Sequence, residues 1–289
     1  ARFAVVRRTM EGALATIEPI TEVLAEAADG QFATAALLGD TAEAAYRDAR
    51  DRILRALRDG ALLRGEVLAR WREFVASGAL ARTLSQALGE RGGNRLLRMV
   101  AAVADDTQPG TQLLAALESA LAALVRAAAA EGAEQAYAGW QAHPSGALLL
   151  RPGLDQPSDD LAERAGALVA DWRRSVLDLV RAGMNDQSTD AGQDTTAGAE
   201  RTERVAAMGL LVVVATLTAN PAMSSSPAIR ALAQQARLDL LSRVDAVLDA
   251  EAGRFLRLLP AMDVEVPPAR RLREAGERVE RARTKVALS

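Results

Sequence analysis

Cysteine is absent from the 289 residues, and histidine occurs only once. The first absence excludes disulfides, thiolate nucleophiles and zinc–thiolate sites. A single imidazole, His143, excludes a multi-histidine metal site. Lysine is also single, against 34 arginines. A phosphate-binding loop of the GxxxxGK[ST] type needs a lysine, and Lys285 stands in Arg283-Thr284-Lys285-Val286 with no glycine loop ahead of it. Aromatic residues are few: three Trp, two Tyr and four Phe. With strand formers so sparse, an all-β fold is excluded and a sheet of any size is disfavoured. The net charge of −3 gives no general attraction to nucleic acid, so no nucleic-acid partner is expected. No apolar run of signal-peptide type follows Ala1-Arg2-Phe3. An opening without methionine, inside a helical pattern, is expected of a piece of a longer protein.

What is present is helix-forming: 63 alanines and 40 leucines. The expected fold is all-α, an elongated bundle of long antiparallel helices. Residues 3–28 carry Phe3, Val6, Met10, Ala13, Ile17, Ile20 and Leu24 at spacings of three and four, an a/d seam, with Pro19 expected to kink or break it. Asp40 with Glu43 reads as a capping box for a second helix to Asp59, stopped by Gly60. In residues 61–77, Leu63, Val67, Trp71, Phe74 and Val75 share a face, with Glu66 and Arg70 spaced for an i,i+4 pair. Gly78 and Gly92-Gly93 punctuate the next stretch, and Pro109-Gly110 reads as a turn before a helix over 111–142. Residues 143–158 read as an irregular connection, with Ser158 the N-cap of a helix to Arg181. Residues 184–199 have almost nothing to bury and read as a mobile linker. A helix over 200–219, a loop over 220–227, a long helix over 228–259 and a break over 260–268 follow. The last helix, 269–288, returns to the a/d pattern with Leu272, Ala275, Val279, Ala282 and Val286.

Candidate chemistry is thin. His143 precedes Pro144 and lies near Ser145, but side chains so close in sequence rarely make a nucleophile–base pair, so a structural or surface role is favoured. Asp105-Asp106 and Asp159-Asp160 sit at apparent helix boundaries, where aspartate caps free amides. The arginines of 270–283 alternate with glutamates, the pattern of a solvated, ion-paired face rather than a phosphate-binding stripe. One segment stands apart: from Val205 to Ala219 no residue is charged, with Leu210, Leu211, Val212, Val213, Val214 and Leu217 in its centre. Its 15 residues fall short of the roughly 20 a membrane span needs, so a buried core helix is favoured over a lipid-facing tip. It is nevertheless the candidate membrane segment. The terminal seams are narrow and need a partner. They are expected to pair with each other, bringing Ala1 and Ser289 to the same end. An antiparallel pair would set Met10 and Ile17 near Leu272 and Val279, a parallel pair would reverse that order, and small Ala13, Ala275 and Ala282 permit close approach.

Arg8-Thr9-Met10-Glu11-Gly12-Ala13-Leu14 and the stretch 59–75, DGALLRGEVLARWREFV, resemble a bacterial dynamin-like (Era-related) GTPase family. The segments 140–150, WQAHPSGALLL, and 230–244 resemble it too. The resemblance covers nearly the whole chain and implies a helical neck and stalk. Residues 1–183 would be a neck helix and the first part of the stalk, and 184–199 the linker. Residues 200–289 would hold the apolar helix, a return stalk helix and a C-terminal neck helix. It further implies that the nucleotide-binding domain, with its GTP and magnesium, lies upstream of Ala1. No catalytic, cofactor or metal residue carries over, so the chain itself is not expected to be an enzyme. The implied partners are its own GTPase domain, further copies of itself and a membrane surface. The implied location is the cytoplasm, peripheral to the inner face of the cell membrane. The chain departs from the family where only residues 220–227 replace a longer glycine-rich, apolar segment. Two other readings are a non-catalytic helical protein–protein interaction scaffold and a ligand-binding bundle. The last is disfavoured because no polar groups converge on an apolar pocket.

Overall fold

The computed structural model describes residues 2–88, 108–186, 195–218, 226–259 and 268–287. Among them there is no strand, and the chain is all-α. The helices are α1 (Arg2–Arg58), α2 (Gly65–Ala76), α3 (Ala79–Leu88), α4 (Gln108–Gln141), α5 (Pro144–Leu149), α6 (Leu161–Asp186), α7 (Thr195–Thr218), α8 (Pro227–Leu256) and α9 (Pro268–Ala287).

The first helix corrects the expected pair of helices. Residues 29–39 do not interrupt it, and Asp40 is an exposed mid-helix residue rather than a cap. Ala35, Leu38, Ala42, Ala45 and Ala49 are buried at alternating spacings of three and four, a continuous row that outweighs the local stop signal. Pro19 stays inside α1. It deprives the Ala15 carbonyl of its usual partner, but both residues are exposed and water can take that place. Pro109 and Gly110 are likewise not a turn but the first residues of α4, where a missing N–H costs nothing. Of residues 184–199, the first three close α6 and the last five open α7. The rest of that stretch, Asp105-Asp106 and Gly92-Gly93 lie outside the described residues.

The helices gather into two compact units, and neither is a consecutive piece of chain. One comprises residues 1–44, 136–151 and 253–289; the other comprises 45–135 and 152–252.

The first unit is centred on Trp140, Phe255 and Leu38, all at most 1% exposed. The Trp140 indole N–H donates to the Leu38 carbonyl at 2.8 Å, and its ring meets Phe255 edge-on at 5.4 Å. That satisfies the one polar atom of the largest buried side chain. His143 caps α5, its Nδ1 accepting the Ser145 N–H at 3.2 Å. Gly146 is required in α5, because a Cβ there would sit 2.4 Å from the Trp140 carbonyl oxygen.

The second unit buries Leu113, Leu117, Leu121 and Val125 of α4 with Trp172 of α6 and Leu240 and Val244 of α8. Trp172 donates its indole N–H to the Ala236 carbonyl at 2.8 Å, and Arg243 reaches Ser175 at 2.7 Å. Arg164 contacts Glu251, and Gly183 faces Leu232. Arg164 near the start of α6 meets the end of α8, and Gly183 near its end meets the start of α8, so these two run antiparallel. Part-buried ion pairs join further helices: Arg50–Asp245, Arg52–Glu131 and Arg173–Glu118. Helix α7 packs against α3 and α6. Gly60, at φ 65°, turns the chain out of α1 beside the Thr218 carbonyl.

Candidate functional site: the terminal helix pair

The terminal helices meet within the first unit. Arg273 of α9 joins them: its Nε and Nη2 donate to Glu22 Oε1 at 3.2 and 3.1 Å, and its Nη1 donates to Asp29 Oδ2 at 3.1 Å. Hydrogen bonding to Glu22 first, then to Asp29, raises the guanidinium above its ordinary pKa. Planar guanidinium suits this double grip, because its donors diverge in a fixed fork. The bridge has a compositional source. Residues 9–46 hold seven carboxylates and no basic residue, whereas α9 carries seven basic residues and three glutamates.

Beside the bridge lies a groove of about 340 Å³ lined by Ile17, Thr21, Gly276 and Val279, with Glu277 and Glu280 at its edge. Thr21 lies beside Gly276, and Glu22 and Asp29 beside Arg273. The two helices therefore run antiparallel. Ile17 and Val279 are brought together, and Leu272 is half-buried in the same helix. The Met10 side chain and the termini Ala1 and Ser289 lie outside the described residues.

Part of the expected seam is corrected. Ile20 and Leu24 are 57% and 52% exposed, while Ile17 and Thr21 line the groove and Ala25 is buried. A straight helix turns about 20° per heptad relative to a strict seven-residue repeat, so a contact spaced i, i+4, i+8 leaves the 3–4 alternation behind. Close approach also comes from elsewhere. A Cβ on Gly276 would lie 3.2 Å from Thr21 Cγ2, whereas Ala13 and Ala282 are exposed and Ala275 only half-buried.

The apolar run lies in the second unit. Val205, Leu211, Val212, Val213, Val214 and Leu217 are buried, and Leu210 half-buried. Thr216 and Thr218 return their hydroxyls to the carbonyls of Val212 and Val214, so the buried helix leaves them satisfied. A core helix and a lipid-facing tip were the two alternatives, and these side chains are in the core. Among the described residues the one helix long and apolar enough to cross a membrane is Pro109–Gln141, at mean hydropathy 1.7. Sequence reading passed over it. Its Leu113, Leu117, Leu121 and Val125 row is fully buried, and 33% of its apolar window is buried in all.

The reading of Ser158 as a helix cap is also corrected. Its N–H donates to Glu251 Oε2 at 3.0 Å and its hydroxyl to Oε1, while Arg164 donates to the same oxygen. Glu251 is fully buried, which such a set of donors permits. Asp160 is exposed and held below the usual carboxylate range, first by hydrogen bonding with Ser158 and further by Arg164. Glu251 had a visible signal: it continues the buried row Leu240, Val244, Leu248 as its one charged member. No group of three or more His, Cys, Asp or Glu positioned to hold a metal occurs among the described residues.

Comparison with family models, with curated proteins and with solved structures gave no match.

Proposed function

We propose that the chain is the helical neck and stalk of a dynamin-like GTPase, an elongated bundle of antiparallel helices without catalytic activity of its own. It would transmit nucleotide state from a GTPase domain to self-assembly and membrane remodelling. The observation that supports this reading is the closure of α9 on α1 through Arg273, Glu22 and Asp29. A lever needs its two terminal helices side by side at the point where an attached domain would pull. A polar, half-solvated contact of this kind is easily remade after movement. GTP and magnesium would belong to the attached domain. Self-association, a cytoplasmic location and contact with the inner face of the cell membrane belong to the same proposal and rest on the sequence resemblance.

Reading the gene upstream of Ala1 tests it. A GxxxxGK[ST] motif following a strand pattern is the expected result. An upstream sequence without one removes the reading and leaves the non-catalytic interaction scaffold, which the exposed apolar residues of α1 favour. A biochemical arm uses the chain itself: calorimetric titration with GTP and magnesium is expected to show no binding. Tight magnesium-dependent binding would contradict the assignment of the nucleotide site to another domain.

A further inference from the structure

α9 is held on α1 by little apolar contact. Of its described side chains only Ala269 is buried, and the large apolar ones among them, Leu272 and Val279, are half-buried. α8, by contrast, sinks Leu240, Val244, Leu248 and Phe255 to 2% exposure or less. Nor is the contact filled, since the groove of about 340 Å³ lies between the two helices. A close-packed interface leaves few voids larger than a water molecule. The polar link is Arg273, and it is half-solvated: the side chains of Arg273, Glu22 and Asp29 are 41%, 52% and 50% exposed.

α9 is nevertheless equipped to be a helix by itself. Pro268 opens it, where a missing N–H costs nothing. Its 20 residues exceed the roughly 12–15 below which an isolated helix is marginal. Arg270–Glu274, Glu277–Arg281 and Glu280–Arg283 pair along its own surface at 3.0, 3.4 and 3.2 Å, and none of these pairs involves α1. We infer that α9 is a detachable helix, latched to α1 by the grip of Arg273 on Glu22 and Asp29 and released whole when that grip is lost. Closure then depends on charge, so dissolved salt opens the pair. Release bares Ile17 and Thr21 of α1 with Leu272 and Val279 of α9, while each helix keeps its own backbone hydrogen bonds. The inference goes beyond the neck reading and does not rest on it. An upstream sequence without a phosphate-binding loop would remove the neck and leave the latch standing.

The test uses the full 289-residue chain, whose lack of cysteine makes introduced thiols unique. Spin labels at Ala13→Cys and Ala282→Cys, both exposed positions, report the separation of the helices by pulsed electron–electron double resonance. One short distance is expected at low salt. A longer one should appear at about 1 M salt, where the screening length is about 3 Å. Arg273→Gln should raise the ratio of open to closed chains about tenfold at low salt, and Glu22→Gln with Asp29→Asn should match it. Combining all three should add little, because both sets remove the same contact. Far-UV circular dichroism should stay unchanged throughout. A second readout uses the close approach of the helices: a Cβ on Gly276 would lie 3.7 Å from the Thr21 Cβ, within disulfide reach. Thr21→Cys with Gly276→Cys should crosslink under a mild neutral oxidant at low salt, and several-fold more slowly with Arg273→Gln added. A label distance unchanged by both salt and Arg273→Gln means that apolar packing holds the pair, and it overturns the inference. So does a loss of ellipticity on opening, or a chain with neither the short distance nor the crosslink at low salt.

Discussion

Placing an acidic group at Val213 separates a core helix from a membrane-facing one. Val213 is 2% exposed, and its neighbours Leu211, Val212, Val214 and Leu217 are no more so. Two substitutions calibrate each other. Val213→Ala removes two methyl groups, about 1.6 kcal/mol of transfer free energy, and with the cavity left behind about 2–3 kcal/mol in all. Val213→Asp removes similar apolar contact and adds a carboxyl without a partner, which brings the cost to roughly 4 kcal/mol or more. The pH dependence gives a second signature. Burial raises the new carboxyl above its unfolded value of about 3.9, so the folded state keeps its proton longer. The Asp variant is therefore least impaired below about pH 4, and it loses about 1.4 kcal/mol per pH unit as the pH rises toward the folded pKa. Above that point the deficit is flat. Urea denaturation of both variants between pH 4 and 8, with vesicle flotation in parallel, measures all of this. A Val213→Asp chain that melts with the parent but no longer floats with vesicles would refute the core assignment.

Other consequences follow from particular contacts. Glu251→Leu leaves Arg164 half-buried with Ser158 and the one remaining carboxylate of Asp160, and should cost about 1–3 kcal/mol in urea denaturation. Adding Arg164→Met should recover part of that loss, since the uncompensated charge is then gone. Gly146→Ala drives a Cβ toward the Trp140 carbonyl oxygen and Leu38 Cδ2 and should destabilise by roughly 1–3 kcal/mol. Gly166→Ala, an exposed mid-helix position with nothing within 4 Å, should instead stabilise by about 0.5–1 kcal/mol. Asp160, with its lowered carboxyl, stabilises the fold above the unfolded pKa of about 3.9, and that contribution fades as the pH falls through the folded value. An NMR titration should find Asp160 ionised below the ordinary range in the parent and moved back toward it by Ser158→Ala.

Helical class was legible from alanine and leucine alone, and several helix ends were legible from their glycines and prolines. Gly60 and Gly78 fall in turns at positive φ, and Pro227 and Pro268 open α8 and α9. The errors came where a local stop signal competed with burial. Asp40 followed by Glu43 is a sound capping signature, yet the row from Ala35 to Ala49 is buried only if the helix runs straight through it. Pro109-Gly110 suits a turn as well as a first helical turn, and sequence alone does not rank them. Ser158 had the composition of a cap, but its hydroxyl was taken by a glutamate 93 residues away.

The terminal pair shows why a site built from two distant segments is only half visible. Pairing itself could be inferred, because each seam was too narrow to bury itself and no other segment repeated the pattern so strictly. Which residues meet could not, because that depends on the relative rotation of two helices 251 residues apart at the Arg273–Glu22 contact. Rotating α1 so that Thr21 faces Gly276 sets Ala25 inward and turns Val23 and Leu24 to solvent. Charge selects that rotation over the one the a/d pattern suggests. It brings Glu22 and Asp29, seven residues or about two turns apart and so on the same side of α1, within reach of a single arginine. Apolar contact across small residues would contribute little in either arrangement, so a doubly held guanidinium is enough to decide between them. The same choice leaves Ile20, Val23 and Leu24 to solvent. The groove on one side of α1 and the bare face on the other thus have one cause: an acidic helix whose orientation is set by its carboxylates rather than by its leucines.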